Sequence, residues 1–589
     1  MKTVNDEREL RMTRPAPRPR DIERALTRTL RDVFGLRSLR PGQHEVVMRA
    51  LHSRSTLAVM PTGAGKSLCY QLPAMLLPGM TLVVSPLIAL MKDQCDKLRA
   101  LGIEAVQLHS QCTAEEIDAA EAAIVQGRAR IVLTTPERLA QAGLQQLMKG
   151  VSVSLLVVDE AHCISQWGHD FRPAFLEIGA ARRQFGDPPV LALTATANDE
   201  VAHDVMARLG IPREGLCQTG TFRPNLRYAA EALTGEAHKR ERLLALVREL
   251  RGSGIVYVAT VRAGEQVAAA LQEAGEPAGL YHGRLDRETR QRTQEAFMAG
   301  ELRVIVATNA FGMGIDKPDI RFVLHYQMPA GLGPYYQESG RAGRDGEEAD
   351  CVLLFLRRDR AVQQFFLTGR YPEPGELEAV HAALGGPPRE GAPSWKLSSL
   401  QDALHAPRTK VQVALALLRQ RRIVRQAPDG SLALLRRNVS GDTLAAMLDA
   451  YRIKREQDNE ALEQMVFYAQ TGRCRWQVLL ATLEGEAPQQ RCGTCDNCRR
   501  IDSRTAQMQV QPEPEPQRLP DAASSASALP PKPRFAPDDS VRVKRYGPGR
   551  VVSADALAVE IEFPNGSRRS FQPDFVRPVR TGIAPRAAG

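Results

Sequence analysis

Short, uniformly apolar segments alternate with amphipathic helical segments along the first 360 residues, and this alternation constrains the fold most strongly. The first half contains TLVVSPLIAL, RIVLTTPERL, LLVVDEAH and VLALTATA, and the second contains GIVYVATV, LRVIVATNAFGMGID, RFVLHYQM and CVLLFL. Strands that are apolar throughout are typical of parallel sheets covered by helices on both faces. The sequence therefore predicts two parallel α/β sheets in series.

Length and composition indicate a multidomain globular protein. The 589 residues suffice for about four domains of roughly 150 residues each, and the hydrophobic content of 43% is ordinary. The chain has no apolar run of membrane-span length, and its N-terminus, MKTVNDEREL, lacks the apolar stretch of a signal peptide. We therefore expect a cytoplasmic protein. Its net charge of +10 favours an anionic polymer as partner, although a solvated basic surface is an alternative explanation.

The glycine-rich stretch MPTGAGKS lies between a predicted strand, Thr56 to Val59, and a predicted helix, Ser67 to Leu76. This order is typical of a phosphate-binding loop at a helix N-terminus. The glycines would let backbone N–H groups approach the phosphates, the lysine would contact the terminal pair, and the serine hydroxyl would ligate magnesium. The residues concerned are Gly63, Gly65, Lys66 and Ser67. A chance Gly-Lys-Ser turn is the alternative.

Two adjacent carboxylates end the apolar segment LLVVD. Asp159, at the tip of a predicted buried strand, is placed to hold magnesium through water, and Glu160 can orient an attacking water. A helix N-cap followed by a first-turn acid is the structural alternative. Because a phosphate loop lies upstream, hydrolysis is the better interpretation.

The second half of the alternation has no phosphate loop but carries the segment QESGRAGR, with Arg341 and Arg344. If the two halves close over one nucleotide, an arginine can neutralise charge on the transferred phosphoryl group, an effect worth about a thousandfold or more in rate. Hydrolysis would then be coupled to opening and closing of the cleft, which predicts a motor.

Ten segments carry a family resemblance: LRPGQ, MPTGAGKS, SPLIALMKDQ, TTPERL, DEAHCISQWGHDFRP, TAT, FRPNL, YHGRL, ATNAFGMGIDKPDI and YYQESGRAGRDG. In this order they resemble superfamily two helicases, and specifically the RecQ DNA helicases, over residues 21–360 and again over 450–500. The resemblance implies two RecA-like domains, ATP hydrolysis, and unwinding of DNA from 3′ to 5′ along the tracked strand.

The same resemblance implies roles for individual residues. The implied catalytic residues are Lys66, Asp159, Glu160, Arg341 and Arg344. The implied ATP contacts are Arg40, Gln43, Thr62, Gly63, Gly65, Lys66, Ser67, Asp316 and Gln337. Within these sets Glu160 would be the catalytic carboxylate, the two arginines would be finger arginines, and Gln43, with Arg40 nearby, would read the adenine. Magnesium would be held by Ser67 and Asp159.

The segment SQWGHDFRP follows the paired carboxylates and contains two large aromatic residues among polar ones. An aromatic ring stacked on a base is worth about 1–3 kcal/mol whatever the base. In RecQ proteins the corresponding loop links single-strand binding to ATP hydrolysis. The resemblance therefore implies DNA contacts for Trp167, His169, Phe171 and Arg172. Packing of the tryptophan into an interdomain core is the alternative.

Four of the ten cysteines form the pattern C-x17-C-x2-C-x2-C at Cys474, Cys492, Cys495 and Cys498. Four thiolates at this spacing close a tetrahedral structural zinc site, and RecQ proteins carry a similar one. Disulfides are the alternative, which a cytoplasmic location disfavours. Because the predicted hairpin QQRCGTCDNC has little apolar content, we expect zinc to supply most of its folding energy. The other six cysteines are expected to be buried and reduced.

A segment before the zinc cysteines departs from the usual family layout. Two predicted helices separated by a turn at Pro407, then two strands joined through Asp429 and Gly430, make a winged-helix pattern. Its wing lacks an aromatic tip, which weakens a strand-separating role, and a helical spacer is the alternative. The basic rim is expected to contact DNA through Arg408, Lys410, Arg421 and Arg422.

The C-terminal part combines a segment rich in Pro, Ala and Ser with a short β-rich segment. The β-rich segment is broken at Gly547-Pro548-Gly549 and at Asn565-Gly566. It resembles the small Tudor-like barrel of UvrD-type helicases, which can dock proteins. RNA polymerase or another protein is therefore an expected partner, beside single-stranded and forked DNA, and no membrane is expected.

The predicted fold class is α/β multidomain. The predicted segments are a disordered basic arm (1–20), RecA-like domain 1 (21–220), RecA-like domain 2 (221–360), a winged-helix-like insertion (361–440), a helical zinc-binding module (441–500), a disordered linker (501–534), a small Tudor/SH3-like β-barrel (535–580) and a tail (581–589).

Three functions are compatible with these patterns. An ATP-dependent 3′ to 5′ DNA helicase of repair and recombination is favoured, and an RNA-stimulated ATPase or RNA helicase is the second. A non-enzymatic zinc and winged-helix DNA-binding regulator is the third, and the complete phosphate, magnesium and arginine motifs argue against it. Stimulation of ATP hydrolysis by single-stranded DNA or by RNA separates the first two.

Overall fold

The chain divides into two compact units after Thr221. The computed structural model describes residues 19–139, 141–165, 172–311, 317–368, 373–388, 394–427, 430–485, 488–509, 535–543, 546–555, 558–564 and 566–579. The predicted basic arm up to residue 18, the linker from residue 510 and the tail from residue 580 lie outside these ranges. Among the described helices, none is long and apolar enough to cross a bilayer.

The first unit contains a parallel sheet. Its strands are β1 (Thr56–Val59), β2 (Met80–Val84), β3 (Ala105–Leu108), β4 (Ile131–Thr134), β5 (Val153–Val158), β6 (Val190–Thr194) and β7 (Leu216–Gln218). They pair in the order β3-β4-β2-β5-β6-β1-β7, and every pairing is parallel. The segments that follow β1, β2, β5 and β6 therefore meet at one edge, where ligands bind in open α/β sheets.

Helices cover both faces of this sheet. Leu57 packs in one apolar cluster and the next residue, Ala58, packs in another, as the alternation of side chains along a strand requires. The helices are Pro19–Asp32, Gln43–Leu51, Leu68–Leu76, Ile88–Ala100, Ala114–Val125, Pro136–Leu139, Ala142–Leu147, Ile178–Gln184 and Asp199–Leu209. Short 3-10 helices cover Ala161–Ile164, Pro173–Glu177 and Arg213–Gly215.

The second unit begins with another parallel sheet. Its strands are β8 (Leu226–Ala232), β9 (Ser253–Tyr257), β10 (Ala278–Tyr281), β11 (Val304–Ala307), β12 (Ile320–His325) and β13 (Ala349–Phe355). They pair in the order β10-β11-β9-β12-β13-β8, again all parallel. The helices of this part are Glu236–Glu249, Val261–Glu273, Arg287–Ala299, Leu332–Ser339 and Asp359–Thr368. The prediction of two parallel α/β sheets is confirmed.

A small module with its own apolar core follows. Its elements are the helices Pro374–Gly385, Leu397–Leu404, Arg408–Gln420 and Gly441–Met447 and the antiparallel strands β14 (Val424–Gln426) and β15 (Leu432–Leu434). Leu400, Leu418 and Leu444 share the core. The two central helices and two strands lie where the sequence predicts them, whereas the winged-helix assignment stays a prediction. The boundary at residue 440 was wrong, because Leu444 and its helix pack into this core.

This module is inserted between two helices that pack against each other. Arg360 and Gln364, on helix Asp359–Thr368, contact helix Asp449–Gln470. The guanidinium of Arg360 lies 3.0 Å from Oε1 of Glu463, and Nε2 of Gln364 donates to Oδ1 of Asn459 at 3.1 Å. The two helices run antiparallel, so the inserted module leaves and rejoins one compact pair.

The remaining helices surround the cysteine pattern. They are Asp449–Gln470, Arg475–Leu483 and Asp496–Gln509. The last of them extends beyond residue 500, so the predicted linker began too early. The prediction of a hairpin for QQRCGTCDNC was also wrong, because the described residues 488–495 form bends that lead directly into a helix.

The C-terminal segment forms an antiparallel sheet with the order β19-β18-β17-β16-β20. Its strands are β16 (Ser540–Val543), β17 (Gly547–Ala554), β18 (Val559–Glu562), β19 (Arg568–Phe571) and β20 (Val576–Pro578). Gly547-Pro548-Gly549 begins β17 instead of breaking two strands, so that prediction was wrong. The turn at Gly566 does join β18 to β19, with its N–H bonded to Phe563 O at 2.9 Å, and Asn565 lies outside the described residues.

Candidate nucleotide and metal sites

The predicted phosphate loop connects β1 to helix Leu68–Leu76 at the ligand-binding edge of the first sheet. Gly63 and Gly65 adopt φ values of +83° and +75°, in the left-handed region that glycine occupies without strain. Ser67 is the N-cap, so the helix begins one residue later than predicted. A strand, a glycine turn and a helix N-terminus together form the geometry that phosphate binding requires.

Arg40 and Gln43 hold this loop through its backbone carbonyls. Oε1 of Gln43 accepts the Arg40 N–H at 2.7 Å, and its Nε2 donates to Ala64 O at 2.8 Å and Gly65 O at 3.1 Å. A guanidinium N–H of Arg40 donates to Gly63 O. The side chain of Gln43 is 2% exposed. Both residues are thus placed to set the shape of the loop, and their contact with adenine stays a prediction.

The ammonium group of Lys66 lies over the same loop. Its Nζ is 3.3 Å from Met60 O and 3.4 Å from Pro61 O. Its charge also opposes the rise in the pKa of Asp159 that burial causes. Lys66 therefore lies near both the loop and the first carboxylate.

Asp159 directly follows β5, at the edge where the loop lies. Oδ1 accepts the Glu160 N–H at 3.0 Å, and Oδ2 accepts the Ser85 hydroxyl at 3.3 Å. Burial, and then the charge of Glu160, raise the pKa of Asp159 to about 7. A carboxylate and the hydroxyl of Ser67 are hard oxygen ligands of the kind that Mg²⁺ prefers. The donor set therefore fits magnesium.

Glu160 has a strained backbone and contacts a buried histidine. Its φ is +50°, a left-handed conformation that costs a non-glycine residue of order 1–3 kcal/mol and is concentrated at functional sites. Nδ1 of His162 lies 3.4 Å from Oε2 of Glu160 and 3.0 Å from Oγ1 of Thr194. Burial lowers the pKa of His162 to about 3, helped by the charges of Lys66 and Arg172, so its ring is neutral. These contacts connect Glu160 to the end of β6.

Gln94 is a contact of this site that the sequence analysis did not single out. Its Nε2 donates to Oγ of Ser67 at 2.7 Å. Its Oε1 accepts the Tyr70 hydroxyl at 2.6 Å and the Gln71 amide at 2.7 Å, which fixes the orientation of the Gln94 amide. Gln94 is the last residue of SPLIALMKDQ, one of the ten family segments, and this position was the sequence signal that could have identified it. Gln94 thus positions the hydroxyl expected to ligate magnesium.

Replacing Gln94 by Ala is expected to lower the apparent Mg²⁺ affinity of the nucleotide-bound protein by about tenfold, because outer contacts of a metal ligand are typically worth 10–100-fold. Binding of a fluorescent ATP analogue, titrated with Mg²⁺, measures this directly. Lys97→Ala is the matched control, because Lys97 lies on the same helix and pairs with Asp93 at the surface. Equal Mg²⁺ dependence in both variants would contradict the assignment.

In the second unit, Arg341 and Arg344 follow helix Leu332–Ser339, on which Gln337 is partly buried. Arg341 is 6% exposed. Asp316, the remaining predicted ATP contact of this unit, lies outside the described residues.

The loop that carries these arginines is held by the segment FRPNL. Arg223 donates to Gly340 O at 2.7 Å and to Ala342 O at 2.9 Å. Nδ2 of Asn225 donates to Gly343 O at 2.8 Å. The sequence alone indicates FRPNL only as a family segment, because the carbonyls that it binds lie more than a hundred residues later. Arg223 and Asn225 thus fix the backbone that presents Arg341 and Arg344.

The four predicted zinc ligands converge. The sulfur atoms of Cys474, Cys492, Cys495 and Cys498 lie within 4.8 Å of one another. Those of Cys492 and Cys498 are 3.9 Å apart, and tetrahedral Zn–S bonds of about 2.3 Å place sulfurs roughly 3.8 Å apart. Backbone N–H groups donate to Cys474 and Cys495 at 3.4 Å, as thiolates require. The donor set and its spacing fit zinc.

The zinc cluster is attached to the edge strand β8 of the second sheet. Arg475, next to the first ligand, is fully buried and pairs with both carboxylate oxygens of Asp496 at 2.9 and 2.8 Å. Asp496 also accepts the Ala230 N–H at 3.1 Å, and the indole of Trp476 donates to Leu226 O at 3.2 Å. Because these residues adjoin the ligands, zinc coordination and docking on the sheet support each other.

The other six cysteines lie apart from this cluster and form no disulfide. Five are buried as predicted, namely Cys69, Cys95, Cys163, Cys217 and Cys351. Cys112 is only partly buried, so the prediction was wrong for this residue.

Comparison with known families follows the same division of the chain. Residues 40–205 match the DEAD/DEAH box helicase family, and residues 238–346 match the helicase conserved C-terminal domain. Residues 433–499, which contain all four clustered cysteines, match the RecQ zinc-binding family. ATP, magnesium and zinc are the cofactors that these matches and the donor sets support.

Curated relatives are similar over different lengths. The ATP-dependent DNA helicase RecQ of Bacillus subtilis is 44% identical over 57% of this chain and 56% of its own length. That of Haemophilus influenzae is 42% identical over 60% of this chain and 57% of its own length, so the chain spans little more than half of either relative. The ATP-dependent DNA helicase RecQ of Synechocystis is 35% identical over 80% of this chain and 98% of its own length. The chain belongs to the RecQ family.

The aromatic loop expected from this RecQ membership is described only at its C-terminal end. Trp167, His169 and Phe171 lie outside the described residues. The N–H of Arg172 donates to Cys163 O at 3.0 Å, and its guanidinium donates to Pro86 O at 3.3 Å. Arg172 thus connects the segment after the paired carboxylates to the one after β2.

The basic residues predicted to contact DNA from the inserted module of this RecQ chain differ in their surroundings. Arg408, Arg421 and Arg422 are exposed. Lys410 is less available to bind DNA phosphates, because its ammonium group pairs with both carboxylate oxygens of Glu376 at 2.7 and 3.0 Å. The prediction that Lys410 belongs to an open basic rim was wrong, since an acid on another helix neutralises it.

Proposed function

We propose that this chain is an ATP-dependent DNA helicase that moves 3′ to 5′ on single-stranded DNA and unwinds duplexes in repair and recombination. One observation carries the proposal: a phosphate loop, a magnesium-type donor set and a strained carboxylate share the ligand-binding edge of the first sheet. Membership of a family whose relatives in Bacillus subtilis, Haemophilus influenzae and Synechocystis bear the name ATP-dependent DNA helicase supports the choice of substrate.

The residues of the first unit have separate roles in ATP hydrolysis. The loop glycines and Lys66 bind the phosphates of ATP, and Thr62, Arg40 and Gln43 complete the nucleotide contacts. Ser67 and Asp159 would hold magnesium, which would supply positive charge to offset the negative charge of the phosphates. Glu160 orients the attacking water and accepts its proton.

The residues of the second unit supply positive charge. Arg341 and Arg344 act on the transferred phosphoryl group, with Gln337 and Asp316 as further ATP contacts. Arg223 and Asn225 hold the loop, so the arginines need little reorganisation when they act, which is the property of an effective electrostatic catalyst.

Two assays test the proposal. ATP hydrolysis is measured with single-stranded DNA or RNA of equal length as activator, and strand displacement is measured on duplexes with either a 3′ or a 5′ tail. We expect stimulation by DNA and displacement only from the 3′ tail. Stimulation by RNA alone would favour an RNA-dependent ATPase, and hydrolysis without displacement would overturn the helicase assignment.

Trp167, His169, Phe171 and Arg172 are proposed to bind single-stranded DNA and to link it to hydrolysis. Trp167→Ala should leave basal ATP hydrolysis intact and reduce stimulation by single-stranded DNA, because it removes one stacking contact worth about 1–3 kcal/mol, equivalent to roughly 5- to 150-fold in DNA affinity. Steady-state ATPase at increasing DNA concentration measures the effect. If Trp167→Ala keeps both wild-type stimulation and wild-type unwinding, Trp167 packs in a core and does not bind DNA.

Two further parts of the proposal concern partners and location. The C-terminal sheet, which we propose is a Tudor-like barrel, is suited to docking RNA polymerase or another protein, and affinity capture with the full-length chain and with a chain ending before residue 535 tests this. Cytoplasmic location is proposed because the cysteine cluster must stay reduced to bind zinc, and a reducing compartment keeps thiols reduced.

A further inference from the structure

One segment of the inserted module is strongly basic. Between residues 394 and 440 there are nine Lys or Arg residues and two Asp or Glu residues, an excess of seven positive charges out of ten for the whole protein. Such an excess over one short segment is typical of a polyanion-binding surface. The question is which element of the module presents it.

Helix Arg408–Gln420 presents little of this charge. Val411, Leu415 and Leu418 point into the core, and Lys410 is neutralised by Glu376. The exposed cations of the helix are Arg408 and Arg419, at its two ends, with Gln412 exposed between them. A helix with this surface offers few contacts to a row of phosphates.

The hairpin and its flanking residues carry five of the nine basic residues. Ile423 O accepts the N–H groups of Leu435 at 2.7 Å and Arg436 at 3.3 Å, and Arg425 pairs with Ala433. The exposed arginines that this pairing gathers are Arg421, Arg422, Arg425, Arg436 and Arg437. We call these five residues the hairpin arginine face. None of the five forms an ion pair with any residue in the described part of the chain.

The chemistry of this face favours phosphates over bases. Between residues 394 and 440 the one Phe, Tyr or Trp is Trp395, which is 8% exposed and whose indole donates to Gly386 O at 3.0 Å. Recognition of unpaired bases relies on exposed aromatic rings, whereas Arg binds phosphate oxygens through its planar fork. A β-ribbon of arginines without aromatic rings is therefore suited to a duplex backbone.

We propose that the hairpin arginine face, and not helix Arg408–Gln420, binds the phosphates of duplex DNA beside the strands being unwound. This inference rests on the proposed helicase function. It assigns the contact to Arg425, Arg436 and Arg437 in addition to the predicted Arg421 and Arg422.

Two double variants that each remove two positive charges from the module test the proposal. The hairpin variant is Arg425→Gln/Arg437→Gln, and the helix variant is Arg408→Gln/Arg419→Gln. Binding of the full-length protein to forked duplex is measured over a range of salt concentrations. For the hairpin variant we expect the slope of log affinity against log salt to become less negative by about 1.8, since each lost phosphate contact contributes about 0.9. The helix variant should keep the wild-type slope.

The outcomes separate this inference from the proposed function. A hairpin variant with the wild-type slope, or a helix variant that loses as much, would overturn the inference. Both variants should retain zinc content and ATP hydrolysis stimulated by single-stranded DNA. Wild-type protein that is not stimulated by DNA would instead refute the proposed function, whatever the variants do.

Discussion

Replacing Lys66 by Ala, or Glu160 by Gln, is expected to lower ATP hydrolysis by about a thousandfold or more. In the proposed mechanism Lys66 supplies charge to the phosphates, and Glu160 activates the attacking water. Loss of one preorganised charge in such a site typically costs 10²–10³ in turnover, and loss of the base adds to it. Phosphate release, measured with saturating single-stranded DNA, gives the rate.

A surface carboxylate of the same unit provides the control. Glu104 is 42% exposed and pairs with Arg128, an interaction worth at most about 1 kcal/mol. Glu104→Gln should therefore retain wild-type turnover. Glu160→Gln should still bind the ATP analogue, because Gln is isosteric with Glu and the loop is unaltered. DNA-stimulated turnover near the wild-type rate in either site variant would show that hydrolysis takes place elsewhere.

Removing zinc is expected to unfold the segment 449–509 and to release it from β8. Structural zinc contributes an apparent ~10–16 kcal/mol in small zinc modules, which is as large as the stability of a whole domain. The bends at 488–495 offer little apolar surface to replace it, and Arg475 and Asp496 lose their placement with the ligands. Cys495→Ser, or chelation, should therefore make this segment sensitive to limited proteolysis.

The matched variant is Cys112→Ser, because Cys112 is only partly buried and lies in the other unit. Wild-type protein should contain one zinc per chain by atomic emission, Cys112→Ser should equal it, and Cys495→Ser should fall well below it. If Cys495→Ser loses its zinc and the segment still resists protease, the metal is not what folds this module.

Local patterns predicted the phosphate loop and the strand-end carboxylate accurately because their determinants are close in sequence. Strand Thr56–Val59 has the predicted bounds, and the glycine turn and the carboxylate after β5 follow from neighbouring residues alone. The cysteine spacing was equally informative, since the metal itself dictates that four thiolates meet.

Errors arose where a distant residue decides the environment. Lys410 is neutralised by Glu376, which lies 34 residues away on another helix, and Gln94 reaches Ser67 from 27 residues away. Helix Gly441–Met447 packs into the core of the inserted module through Leu444, but the sequence of the helix does not indicate which domain core it packs against. The exposed arginines of the hairpin could not be grouped from the sequence, because it is strand pairing that brings Arg436 beside Ile423.

The inserted module leaves and rejoins the chain at one antiparallel helix pair, Asp359–Thr368 with Asp449–Gln470, and this arrangement bears on how the protein can diversify. Lengthening a connection between fixed ends costs little, since each doubling of loop length adds only about 0.6 kcal/mol. The two helices can therefore be connected by a short turn or by a complete domain with nearly the same loop-closure free energy. An arginine-bearing module at this position can be gained, exchanged or lost in evolution as one unit, without any change to the residues of the phosphate loop.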